Sequence, residues 1–420
     1  MAFVASTRAP GQREMSVRLL PKVMEVLQSR HGLRTLPRDE AWMILQALAV
    51  LYVWAPVSTR DLILAGEPSS QELSMVGIKA MIEMAALHLS FHHSVVEVAQ
   101  LVDCGASMDL STPALQHYLC WLWLFVTSQR WSLLSRTPPT ITVDSTIRCA
   151  IQLLDPYKGN ERIRHILAEV DLCTLWDEAG TRQLGINEWW CPVRSDIDLA
   201  ACLPALEDID QSFRQWSARW CPADDLDTYG HRAPALFDYY FAQFSINTYA
   251  AGLLHIRPRH DLSDTTEALI LDKSLRAASL FCGMVLRLSP IYIDFLRYLP
   301  QTAMLKLVVG CEYILRCSQM IRTGSITTEQ HLQVVRRVVN LLSDASSSTD
   351  LFTATCLRRL RSGLAAQPPI VPGSELSTTT SGQLASCGTE EAVLQDGDTD
   401  YHLGSFSREL SLDFDYFLPC

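Results

Sequence analysis

Tyr118 to Val126 reads YLCWLWLFV, nine apolar residues without a break. Its flanks, TPALQHYLCWLWLFVTSQRWSLL, carry the same character further. A helix that is apolar on every side has no face to give to water, so it belongs at the centre of a fold with other elements around it. Its exit is polar and abrupt. Arg130, Trp131 and Arg136 follow, then Pro138 and Pro139. An arginine one turn beyond such a segment must snorkel to water or find a carboxylate or carbonyl partner. At a helix C-terminus its charge also offsets the helix dipole. The proline pair stops the helix, because proline lacks the backbone donor and biases the residue before it away from helical angles.

The elements available to surround that centre are also helical. REMSVRLLPKVMEVLQSRHG predicts a helix interrupted near Pro21. PRDEAWMILQALAVLYVW predicts a second, with acids in its first turn where the dipole favours them. QELSMVGIKAMIEMAALHLSFHH sets Leu73, Val76, Ala80, Met84 and Leu87 on one stripe. NERIRHILAEVDLCTLW, DIDQSFRQWSARW, the run from Pro234 to Leu254, TEALILDKSLRAASLFCGMVLRLS, MLKLVVGCEYILRCSQMI, TTEQHLQVVRRVVNLLSDA and LFTATCLRRLRSGLA continue the pattern. Period-two alternation is almost absent, and no fixed-length repeat appears. The expectation is an all-α fold with a buried central helix. Its boundaries are a flexible stretch over 1–14, a helical body over 15–366, and a disordered linker with an acidic tail over 367–420.

That last boundary is compositional. PPIVPGSELSTTTSGQLASCGTEE is rich in Pro, Gly, Ser and Thr, as linkers are. DGDTDYHLGSFSRELSLDFDYFLPC then mixes acids with large hydrophobes. From Gln367 on, nine carboxylates stand against one arginine, which is most of the net charge of −11. The body is therefore close to neutral and offers no broad basic footprint for nucleic acid. The thirteen cysteines are scattered without a CxxC, many in apolar runs such as those of Cys120, Cys282 and Cys311. That distribution predicts reduced core thiols. MAFVASTRAPGQREM has no long apolar signal region. AWMILQALAVLYVWAPV holds Gln46, meets Pro56, and falls short of the ~20 apolar residues that a bilayer crossing needs.

Candidate chemistry is thin. ADDLDT offers Asp224, Asp225 and Asp227, yet Thr228 stands where an aspartate-rich magnesium motif needs an acid, so the stretch reads as a solvated loop. His88 and His92 are four apart, a spacing that on a continuous helix would place both on one face as zinc ligands, with His93 alongside, but no third ligand is evident. Phosphate-binding, dinucleotide-binding and nucleophile-elbow motifs are missing. The expectation is a protein that is not an enzyme.

The opening stretch resembles the middle homology region of fungal binuclear zinc-cluster transcription factors. That region often carries a pattern close to R-x-W-W-x-L-F-x-x-D-R-x-x-S-x-x-x-G-R-P-x-x-I. Trp121, Phe125, Arg130, Ser132, Arg136, Pro138 and Ile141 fall near the corresponding places. Gln129 replaces the usual Asp, Ser135 the usual Gly, and Thr137 separates Arg136 from the prolines. LQALAVLYVWAPVSTRD, GIKAMIEMAALHLSFHH and LRLSPIYIDFLRYLPQTAMLKLVVGCEYILRC resemble further segments of the family, in the right order. The resemblance covers about residues 15–366. It implies an all-helical regulatory domain, a nuclear location and control of RNA polymerase II genes, such as a metabolic or secondary-metabolite cluster.

The family usually opens with a six-cysteine cluster that binds two zinc ions and docks in the major groove. No cysteine precedes Cys104. Either the reading frame extends upstream of Met1, or the protein regulates without a DNA reader of its own. No cofactor is expected in this chain, and zinc only with such a cluster. The expected partners are a coactivator or a DNA-binding protein, a second copy, or a small-molecule effector, with no membrane and no direct DNA contact. Leu412, Asp413, Phe414, Asp415, Tyr416, Phe417 and Leu418 form the candidate activation segment: rings dock in a coactivator groove while the aspartates keep it soluble. The rival reading is a helical small-molecule sensor or interaction protein without transcriptional output.

Overall fold

A computed structural model describes residues 13–29, 37–54, 75–105, 108–135, 137–179, 199–222, 229–256, 264–287, 301–320, 326–344 and 351–367. Among these residues there is no strand, and the fold is all-α. The helices are α1 (Arg13–Ser29), α2 (Arg38–Trp54), α3 (Met75–His88), α4 (Ser94–Asp103) and α5 (Pro113–Ser135). They continue as α6 (Ser145–Arg148), α7 (Ala150–Leu154), α8 (Glu161–Ala179), α9 (Leu199–Trp220) and α10 (Tyr229–Ile256). The described body closes with α11 (Asp264–Met284), α12 (Gln301–Met320), α13 (Ile326–Asp344) and α14 (Leu351–Ala365). None of them is long and apolar enough to cross a membrane.

The greasy segment is the middle of α5, which packs between α4 and α8. Tyr118, Leu122, Phe125 and Val126 are sealed from solvent. Leu119, Cys120 and Trp123 are only half-buried, so the segment is enclosed without being buried at every position. Two polar tips in it are satisfied locally. The Tyr118 hydroxyl donates to the Thr146 carbonyl at 2.6 Å, and Trp121 Nε1 donates to Thr146 Oγ1 at 3.3 Å. Thr146 is itself fixed by Asp144, whose carboxylate caps α6 through the backbone N–H groups of Thr146 and Ile147.

From α5 the packing runs outward. α8 meets α9 and α10, α10 meets α11, and α11 meets α12 and α13. α14 packs on α12 and α13, while α12 also reaches α2, the partner of α3. One hydrophobic core extends through these layers from Ala41 to Leu360. α9 is pinned to α8 by two indoles: Trp216 Nε1 donates to the Ala168 carbonyl at 3.0 Å and Trp220 Nε1 to Asp171 at 2.6 Å. α11 and α12 approach closely at Gly310, where a Cβ would lie 2.8 Å from the Cys282 sulfur and 3.0 Å from the Phe281 ring. The nine cysteines whose side chains are described are free thiols.

One expectation is corrected. α1 runs unbroken through Pro21, giving up one backbone bond without a break in the helix. The stripe Val76, Ala80, Met84, Leu87 of α3 faces solvent, while Met75, Ile78, Ile82, Ala85 and Ala86 face the core. Leu73 lies outside the described residues.

Candidate functional site

The polar exit of α5 is a latch for the returning chain. Ser128 Oγ accepts from the backbone N–H of Thr140 at 2.8 Å and of Ile141 at 2.9 Å. Gln129 Nε2 donates to the Ile141 carbonyl at 3.0 Å, and Ser132 Oγ donates to the Thr137 carbonyl. The hydroxyls of Ser135 and Thr137 meet at 2.7 Å. Thr137 to Pro139 carry no helical bonds, as the proline pair requires, and the side chains of α5 hold the residues that flank the prolines, Thr137, Thr140 and Ile141. Ile141 then enters the core. Lys79 joins the latch from α3, donating to Thr140 Oγ1 at 2.6 Å and Glu83 at 2.5 Å.

Arg130 leaves the opposite side of this turn and does not end in water. Its Nη2 lies 2.8 Å from Glu169 Oε1 on α8 and 2.5 Å from Asp238 Oδ2 on α10. Asp238 presents its other oxygen to Lys306 Nζ on α12 at 2.5 Å. His165 Nε2, one turn before Glu169, lies 3.0 Å from Glu169 Oε1. The ammonium of Lys306 also sits 4.7 Å from the centre of the Phe241 ring. One arginine, one lysine, two carboxylates and one histidine thus join α5, α8, α10 and α12. The Lys306 side chain is 4% exposed and Glu169 is 7% exposed, whereas Arg130 retains 28%.

The electrostatics follow from that burial. Burial pushes the Glu169 carboxyl upward, but Arg130 and the His165 hydrogen bond outweigh it and hold the group at about 2. Burial opposes the charge on Arg130, and Asp238 with Glu169 more than restores it. His165 is raised, because the Glu169 hydrogen bond and charge exceed its own loss of hydration. For Lys306 burial prevails over Asp238, and the ammonium is lowered. The Cys173 thiol beside the cluster is pushed up to about 12 by burial, so it is no thiolate nucleophile at neutral pH. These charges are spent on one another, and they bind helices together.

Of the residues singled out by sequence, Trp121, Phe125, Arg130 and Ser132 sit on α5, and Pro138 and Ile141 on the returning segment. Arg136, Asp224, Asp225, Asp227 and the tail from Leu412 to Leu418 lie outside the described residues. No group of three or more His, Cys, Asp or Glu side chains that could hold a metal ion occurs among the described residues. His92 and His93 touch each other at 4.0 Å between ring centres, and burial lowers His92. Sequence reading passed over His117, which stacks on Phe91 at 4.4 Å and meets Trp42 edge-on at 5.3 Å. It also passed over Glu169, Asp238 and Lys306. Their available signal was a charge inside an otherwise apolar helical run, as in ALFDYYF and MLKLVVG.

Comparison with protein-family models, curated proteins and solved structures gave no match. The likeness to the zinc-cluster regulators rests on the residue pattern.

Proposed function

We propose that the chain is a nuclear transcriptional regulator of the fungal zinc-cluster type. It acts on RNA polymerase II genes without a recognisable zinc cluster in the chain described here. The helical body is a control and dimerisation module, and the acidic tail is its activation segment. The observation that carries this reading is the joint role of the motif residues. Arg130 is ion-paired across helices, while Ser132 and Ile141 belong to the latched turn behind it, which Ser128, outside the motif, helps to hold. Such an arrangement suits a scaffold better than a reaction centre. The tail supports the same reading: LSLDFDYFL sets Phe414, Tyr416 and Phe417 among aspartates, a segment that buries too little to fold alone and can fold on a partner.

The test is a fusion of the full chain to an unrelated DNA-binding domain in a fungal host. The fusion is expected to switch on a reporter. Replacing Phe414, Tyr416 and Phe417 together by Ala should abolish the signal, and Asp413→Asn with Asp415→Asn should only weaken it. A silent fusion of full expression and nuclear location would remove the activation role.

A further inference from the structure

The near-neutral charge of the body hides a local excess. α12, α13 and α14 carry six arginines and three carboxylates among their described residues. Two of the arginines are answered within the group: Arg336 pairs with Glu329, and Arg359 with the buried Glu312. Arg337, Arg358 and Arg361 are exposed and have no carboxylate partner among the described residues. Arg358 and Arg361 are three apart, which places them on one side of α14. Arg361 Nη2 donates to Ser343 Oγ at 2.7 Å, so this side of α14 adjoins the last turn of α13. Arg337 is exposed on α13 six residues before Ser343, about a third of a turn round the helix from it, and so widens the positive surface toward the outer side of α13.

The opposite charge begins where this layer ends. Gln367, just past α14, is anchored by its Nε2 to the Leu315 carbonyl of α12 at 3.0 Å. Residues 388–420 then carry eight carboxylates and one arginine. We propose that the arginine face of α13 and α14 is a docking surface for the chain's own acidic segment 388–420. The proposal does not depend on the transcriptional reading, since it needs only the charges and the tether.

The tether makes weak contacts sufficient. About 50 residues follow Gln367, and a coil of that length spans ~40 Å, more than the length of α14, so the segment has the reach. Two groups joined at that reach meet at an effective concentration of order millimolar. Exposed ion pairs worth ~0–1 kcal/mol each can then keep the segment down, and salt should release it. Phe414, Tyr416 and Phe417 would be drawn to the surface with the aspartates that flank them. A coactivator would therefore compete with the arginine face for the same segment.

The tail supplies its own reporter. Arg408 is its one trypsin site after Gln367, and cleavage there frees Glu409–Cys420. The full-length protein is treated with trypsin at low salt, and the initial release of that peptide is followed by mass spectrometry. The variant Arg337→Glu, Arg358→Glu, Arg361→Glu should release it ~10-fold faster than wild type, because cleavage tracks the undocked population. The corresponding triple Lys variant should stay near wild type. Wild type at ~1 M salt, where screening is short-ranged, should match the Glu variant once rates are corrected with a free peptide substrate. If circular dichroism shows the Glu variant misfolded, the triple Gln variant replaces it. Equal release from wild type and the charge-altered variant overturns the proposal. So does a face that binds short duplex DNA through these arginines while tail release stays unchanged, because the occupant is then nucleic acid.

Discussion

Arg130 shows how far a single residue can be read. Its position one turn past an apolar segment requires a partner, and the sequence says no more. The partners are Glu169 and Asp238, the latter 108 positions away, a separation that no local pattern encodes. Truncating one member of a buried pair leaves the others charged and unanswered. Arg130→Met should therefore lower stability by ~3–5 kcal/mol in a urea titration. Lys306→Met should cost much less, because burial already disfavours its charge and Asp238 keeps Arg130. Equal losses in the two variants would mean that Arg130 is not the centre of the cluster. The same cluster sets an acid limit. Glu169 has its folded value depressed from 4.5 to about 2, so its contribution is present above 4.5 and is lost as pH falls toward 2. His165 has the opposite sign: its raised value gives a contribution present below 6.5 and lost on the alkaline side. In Glu169→Gln the acid-side loss should flatten in melts taken across that range.

At the scale of elements, α5 was legible and its neighbour α3 was only half so. A run apolar on all sides leaves no choice of face, and α5 lies between helices as its composition demands. α3 is apolar on two sides, so periodicity identifies the helix but cannot say which side meets the core. The buried side carries Ile78 and Ile82, and the exposed one carries Met84 and Leu87. The latch after α5 was invisible for another reason: it depends on serine hydroxyls that are equally at home in solvent. Phe125→Ala should destabilise the body by ~3–5 kcal/mol, as truncation of a sealed aromatic does, and a melt at the wild-type temperature would place α5 at a surface instead. Gln129→Asp removes the donor that holds the Ile141 carbonyl. That change should cost ~1–3 kcal/mol, measured by chemical denaturation, although it restores the residue that the resembled motif prefers.

For the whole molecule, the helical class and the change of composition near Gln367 could be read from hydrophobic pattern and residue types, whereas the single continuous core could not. The arginine face could not, because it arises when α13 and α14 pack and is cancelled in the overall charge. The regulator reading also predicts that the purified chain gives no competitor-resistant mobility shift with promoter DNA at ~150 mM salt. A sharp complex there would show that the body itself reads DNA. The central claim, that this chain controls genes from the nucleus, is tested most directly by chromatin immunoprecipitation of the tagged full chain in a fungal host. The account predicts discrete enrichment at RNA polymerase II promoters, carried by a DNA-binding partner. A nuclear chain with uniform background occupancy, or one held outside the nucleus, would contradict it.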